Sequence, residues 1–144
     1  MKPADNLTCL KCGQINRVPT AKRNAGPKCA KCGDPLVSGL VAELDARVHD
    51  KATKQDGIPI IIDYWAPWCG PCRSMAPEFA KAALKLKSKT RFAKIDTQQH
   101  PEISQKLDIR GIPLLILYSN GREVGRLSGA RPAADIEAFV EQNI

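Results

Sequence analysis

Six cysteines fall into three C-x-x-C pairs: Cys9 with Cys12, Cys29 with Cys32, and Cys69 with Cys72. Paired thiols at this spacing can ligate a metal or exchange disulfides, and their surroundings sort the two uses. The first two pairs read C-x2-C-x16-C-x2-C, the spacing of a four-thiolate zinc site. A glycine follows each pair, Gly13 and Gly33, and lets the backbone turn so that amide N–H groups reach sulfur. Four soft thiolates favour a closed tetrahedral shell with no position for substrate, so one zinc ion on Cys9, Cys12, Cys29 and Cys32 reads as structural. Iron fits the same cage. Two disulfides or four idle thiols form the competing reading; the disulfides are disfavoured because Met1–Thr8 has no apolar leader and cytosolic reductants keep thiols reduced. The segment's hydrophobes, Leu7, Leu10, Ile15 and Val18, are too few to fold it alone, and metal binding supplies the missing free energy.

The third pair sits elsewhere, in the run from Ile60 through Trp65-Ala66-Pro67-Trp68-Cys69-Gly70-Pro71-Cys72. The β-branched run predicts a buried strand, and the Ala- and Lys-rich stretch after it a helix over 71–88. Pro71 suits a helix's first turn, where its missing N–H costs no bond. Cys69 then precedes that turn, where unpaired N–H groups and the positive dipole end favour a thiolate, while Cys72 is shielded one turn in. An exposed low-pKa Cys69 would attack an external disulfide, and Cys72 would resolve the mixed disulfide.

These residues resemble the thioredoxin family, over about residues 37–144, and with the four-Cys segment the chain is similar to its zinc-binding bacterial form. Further matches are Asp63 before the motif, Pro77, Lys94 in Phe92-Ala93-Lys94-Ile95-Asp96, Ile109-Arg110-Gly111-Ile112-Pro113, Asn120-Gly121 and Gly129. The resemblance implies a thioredoxin fold, a mixed central sheet with helices on both faces, plus a small zinc ribbon or knuckle. It also implies a protein-disulfide reductase recharged by an NADPH-dependent thioredoxin reductase. Pro113 is then cis, which puts the Ile112 backbone beside Cys69 to pair with a substrate strand. Trp68, Gly70, Pro71 and Gly129 contact substrate, and Trp65 is core. Asp63, a carboxylate in an apolar strand, takes the Cys72 proton, and Lys94 tunes it. Family members usually carry Thr after the cis proline; Leu114 stands here, altering substrate preference and leaving the thiol chemistry intact.

Periodicity supplies the elements that must position these groups. Strands are expected at 40–44, 58–65 and 90–96, and helices from an Asp45 cap to Gln55 and over 101–108. A hairpin of 114–119 and 122–128 turns at Asn120-Gly121, and a last helix over 132–142 faces inward with Ile136, Phe139 and Val140. The division falls near Asp34 to Gly39, giving a metal-binding domain, 1–36, and a thiol-exchange domain, 37–144. His49 and His100 lack ligand spacing and read as surface residues.

Of 144 residues, 22 are Lys or Arg and 15 Asp or Glu. Residues 1–35 hold seven basic side chains and two acidic ones, an excess that four thiolates and a divalent ion reduce to a weak patch. No apolar stretch approaches the ~18 residues of a membrane span, so a cytoplasmic monomer is expected. A rival reading makes the basic segment a redox-switched module that docks a protein or nucleic acid; the lack of aromatic residues for base stacking in 1–35 disfavours nucleic acid.

Overall fold

The computed structural model describes residues 4–144. In chain order the elements are β1 (Ala4–Thr8), β2 (Ile15–Pro19), β3 (Ala42–Leu44), α1 (Ala46–Gln55), β4 (Ile60–Trp65) and α2 (Gly70–Lys85), followed by β5 (Arg91–Asp96), α3 (Pro101–Lys106), β6 (Leu114–Ser119), β7 (Arg122–Ser128) and α4 (Ala133–Asn143). Five strands form a sheet in the order β3-β5-β4-β6-β7. β5 runs parallel to both β3 and β4, whereas β6 is antiparallel to β4 and β7 to β6. This is the mixed sheet expected, with the crossover helices that parallel pairs require.

β4 lies at the centre and is buried from Ile60 through Tyr64, which is why its sequence is an apolar run and not an alternation. Ile60, Ile62 and Tyr64 pack with Val48 and Ala52 of α1 and Ile103 of α3. Ile61 faces the other way, among Met75, Phe79, Ala82 and Ala83 of α2 and Ile136 and Val140 of α4. The two-residue alternation of a strand puts Asp63 on this second face, with Ile61 and on the side of α2.

Local signals account for most boundaries. The Asp45 side chain accepts from the Val48 N–H at 2.8 Å and starts α1. Asn120 and Gly121 have φ of 53° and 80°, the left-handed pair that a tight β6–β7 turn demands. A Cβ at Gly121 would also come within 2.8 Å of the Lys54 carbonyl oxygen. α2 stops at Lys85, three residues short of the expected 88, because the Lys89 and Thr90 N–H groups turn back onto the Leu86 carbonyl. β3 is shorter than expected because only Ala42–Leu44 finds partners on β5.

Residues 4–36 were not expected to carry strands, yet β1 and β2 form an antiparallel hairpin. Their alternation is hidden because both strands are short and mostly polar. Leu7, Cys9, Val18, Cys29 and Leu36 close a small core of their own with Ile58, the residue that leads into β4. The junction is polar as well. Arg91, at the start of β5 and 5 % exposed, donates from Nη1 to the carbonyls of Thr8 at 2.9 Å and Leu36 at 3.1 Å. Its Nη2 pairs with Asp56, whose other oxygen accepts the Thr8 N–H at 2.8 Å. The Gly57 N–H donates to the Asn6 carbonyl at 2.8 Å. One guanidinium thus ties together both ends of the four-Cys segment and the strand that follows Asp56.

Removing one member of a buried ion pair leaves the other charge unpaired in low dielectric, a loss of about 3–5 kcal/mol. Arg91→Ala should therefore lower the free energy of unfolding by that amount in a urea titration; a loss below about 1 kcal/mol, the range of a surface pair, would show that water replaces the guanidinium.

Candidate active site and metal centre

β4 ends at Trp65, and the chain turns at Ala66, whose carbonyl accepts the Cys69 N–H at 3.1 Å. Cys69 is the N-cap of α2: its Sγ accepts the Cys72 N–H at 3.2 Å and its carbonyl accepts the Arg73 N–H at 3.2 Å. Gly70 and Pro71 form the first turn, as expected. Cys69 and Cys72 are joined as a disulfide with Cα atoms 5.3 Å apart. The sulfur at position 69 therefore occupies the place that a capping oxygen fills in other helices, facing unpaired N–H groups that stabilise negative charge there.

Exposure is corrected by the structure. Cys69, expected to be exposed, is only 4 % exposed, whereas Cys72 is shielded as expected at 2 %. Cys69 is covered because the segment before β6 passes across it: the Ile112–Pro113 bond is cis, and the Ile112 carbonyl oxygen lies 3.8 Å from Cys69 Sγ. Gly129, at φ 84°, donates its N–H to the Pro113 carbonyl at 3.0 Å and holds that segment from the β7 side. Arg110, Pro113, Leu114 and Gly129 border a shallow groove of about 340 Å³ beside it. Leu114 is only 6 % exposed, so its side chain belongs mostly to the core. Trp68 is 67 % exposed next to the dithiol.

Asp63 is 3 % exposed, and its Oδ1 has no hydrogen-bond partner. Burial pushes its pKa up to about 7, against the opposing pull of the Lys94 charge. Lys94 stands opposite Asp63 in the β4–β5 register, with Nζ 4.6 Å from the centre of the Trp65 ring. Trp65 is accordingly half-buried beneath an ammonium, not a core residue as expected. The ring's negative face holds the lysine charge there.

The four remaining cysteines converge. Their Sγ atoms all lie within 4.8 Å of one another, with Cys9 to Cys32 and Cys12 to Cys29 each at 3.6 Å. A tetrahedron with bonds of about 2.3 Å has edges of about 3.8 Å, so the cage fits zinc. Each pair sits in the same loop. Cys9 N–H donates to Gln14 O at 2.8 Å and Gly13 N–H to Cys9 O at 2.8 Å; Cys29 N–H donates to Asp34 O and Gly33 N–H to Cys29 O, both at 2.9 Å. Gly13 and Gly33 have φ of 84° and 79°, which only glycine adopts without cost. The Cys12 and Lys31 N–H groups point at Cys9 and Cys29 Sγ at 3.4 Å. Arg47 and Lys51 of α1 hold the first loop through the carbonyls of Cys12 and Gly13, at 3.0 and 2.9 Å. Burial pushes the Cys9 thiol up to about 12, so loading a metal there must displace a proton.

The sequence reading missed two groups. His49 is not on the surface: it is 1 % exposed, its Nε2 2.7 Å from Tyr64 Oη, which is 2.7 Å from Tyr118 Oη. Tyr64's alternation with Ile60 and Ile62 was the available signal, since a buried hydroxyl needs a partner. His100 is half-buried near Glu102. Nothing local in the sequence marks Arg91 and Asp56, which the structure buries as an ion pair.

A redox dithiol at the N-terminus of a helix, crossed by a cis-proline segment on a mixed five-stranded sheet, defines the class of thioredoxin-fold thiol–disulfide oxidoreductases. A family model described as Thioredoxin matches residues 40–142, and one described as Thioredoxin 2, N-terminal matches residues 8–34; the chain belongs to the thioredoxin family. It is 37 % identical over 138 residues to Thioredoxin C-3 of Corynebacterium nephridii, covering 96 % of this chain and 94 % of that one. Identity to the chloroplastic M-type thioredoxin of Chlamydomonas reinhardtii is 33 % over 129 residues, 87 % of this chain and 91 % of the relative. Among solved structures, the thioredoxin of Malassezia sympodialis superimposes with a TM-score of 0.67 at 28 % identity, over 74 % of this chain and 92 % of that one. No described helix is long and apolar enough to cross a membrane.

Asp63 titrates near 3.9 when unfolded and at about 7 when folded. The unfolded chain therefore binds fewer protons across that interval, and the stability of the fold falls as pH rises from about 4 to about 7, then levels. Asp63→Asn removes this penalty: unfolding measured at pH 8 should show a gain on the order of 4 kcal/mol, shrinking to nothing by about pH 3. An equal effect at both pH values would mean that the carboxyl is not the titrating group.

Proposed function

We propose that the chain is a cytoplasmic protein-disulfide reductase with one structural zinc ion, and that Cys69, Cys72, Asp63, Lys94 and Pro113 carry the reaction. The observation that carries this reading is the position of Cys69 Sγ, at the N-cap of α2 and 3.8 Å from the Ile112 carbonyl. A substrate strand lying along Ile112 presents its disulfide there, beside the exposed Trp68 and the backbone of Gly70, Pro71 and Gly129.

In the reduced protein the Cys69 thiolate attacks one substrate sulfur. The substrate S–S bond breaks, a Cys69–substrate disulfide forms, and the other sulfur leaves and takes up a proton. Asp63, whose pKa burial raises to about 7, accepts the Cys72 proton through water when deprotonated. The Cys72 thiolate then attacks Cys69 Sγ and expels the second substrate thiol. Two electrons have passed to the substrate, and the chain holds the Cys69–Cys72 disulfide seen here. Its reduction falls to an NADPH-dependent thioredoxin reductase. Lys94 lowers the carboxyl's proton affinity and keeps it near neutrality.

Cys9, Cys12, Cys29 and Cys32 would hold the zinc ion, which would supply no redox step and would add folding free energy to the four-Cys segment. The two parts divide labour, one fixed by metal and one cycling.

Cys69→Ser should abolish reduction of insulin disulfides, while Cys72→Ser should accumulate a mixed disulfide visible by intact mass. Turnover by Cys69→Ser would sink the mechanism. Asp63→Asn should slow the resolving step on the order of 100-fold at pH 7, leaving formation of the mixed disulfide unchanged. Native mass spectra before and after mild oxidation should show one zinc retained while two hydrogens are lost. Loss of zinc with further disulfides would instead make the four-Cys segment a redox switch.

A further inference from the structure

A groove of about 390 Å³ runs between β2 and the second cysteine loop, with Lys22 and Ala25 at one end. Its apolar lining comes from Ile15, Val18, Pro19 and Pro27. Arg17, Lys22 and Lys28 also border it, all exposed, and no acidic residue does. None of the three has an ion-pair partner among the described residues, whereas nearby Arg23 is paired with Asp5 at 3.3 Å. None of these residues belongs to the dithiol site.

One wall of the groove is the outer edge of β2, where the Ile15 carbonyl accepts the Gln14 side-chain amide at 3.2 Å. Among the described residues the small sheet has two strands, and β2 is paired only with β1. The bond from Cys9 N–H to Gln14 O sets the antiparallel alternation: Asn16 and Val18 turn their backbone groups to β1, and Ile15 and Arg17 turn theirs outward. The walls are held apart by a buried side chain. Asn16 accepts the Ala30 N–H at 2.9 Å and donates to the Gln14 carbonyl at 3.1 Å, and the metal loop fixes the far wall.

We propose that this groove docks an extended acidic segment of a protein partner, which adds a strand along the outer edge of β2. The edge gives backbone hydrogen bonds, the apolar lining takes alternate side chains, and the three cations select Glu or Asp between them. A nucleic acid would bring the same negative charge, but its bases need aromatic platforms, and residues 4–36 contain no Phe, Tyr or Trp. The groove belongs to the segment packed where β4 and β5 begin, while Cys69 follows the end of β4. A partner held here leaves the dithiol open, so docking and disulfide exchange are separate events.

The test titrates zinc-loaded full-length protein with a fluorescein-labelled heptapeptide of alternating Glu and Val, with the Lys–Val counterpart and an oligothymidine as controls. Backbone amide NMR should move Ile15, Arg17 and Lys28. Arg17→Glu with Lys28→Glu should weaken binding of the acidic peptide by at least about tenfold, with zinc content and insulin reduction unchanged. Binding should also weaken as salt rises. Equal affinity for the Lys–Val peptide or the oligothymidine, shifts that map elsewhere, or undiminished binding by the double variant would each overturn the proposal.

Discussion

Burial of β4 on both faces is the constraint from which the rest of the molecule follows. A six-residue strand with helices above and below must be apolar throughout, must have paired neighbours on each edge, and can deliver a functional group only beyond its end. The dithiol sits there, on the first turn of the helix that packs back onto the same strand. Asp63 is the single exception within the run. Its carboxyl has no partner for Oδ1, and the cost of charging it is what sets its proton affinity near neutrality. The same desolvation that raises the carboxyl's proton affinity also lowers the stability of the fold once the group is charged.

The four-Cys segment meets a different limit. It is too small to bury much apolar surface, and the structure shows how it manages: Ile58 is borrowed for its core, Arg91 for its backbone carbonyls, and Arg47 and Lys51 for its first metal loop. Each donor belongs to residues after 36, so the metal loops rest on the sheet and α1 even before an ion is considered.

How much of this could be read from the chain depended on the range of the interaction. The cysteine spacings, the Asp45 cap, the Asn120-Gly121 turn and the Pro71 helix start are local, fixed by residues within a turn of one another, and the structure carries them as expected. The cis bond before Pro113 is not decided by its neighbours, and only resemblance pointed to it. The early stop of α2 and the hairpin of β1 and β2 are local features that the pattern did not show, whereas the differences at the site were at long range. The burial of Cys69 depends on a segment more than forty residues away, His49 was drawn inside by Tyr64 and Tyr118, and Trp65 was uncovered by a lysine on the adjoining strand. Arg91 spans 83 residues to reach Thr8, and a lone arginine between a threonine and a phenylalanine carries no mark of that role.

Gly57 donates to Asn6, and a Cβ placed on it would stand 2.6 Å from an Asp5 carboxylate oxygen. No larger side chain fits while the N-terminal hairpin is seated. The position works as a steric key: a side chain there must push aside Asp5, and with it the first strand of the hairpin. A thioredoxin framework lacking a glycine at that point could not accept this hairpin by simple grafting, so the joint, more than either piece, is what any transplant of the metal loops would have to carry across.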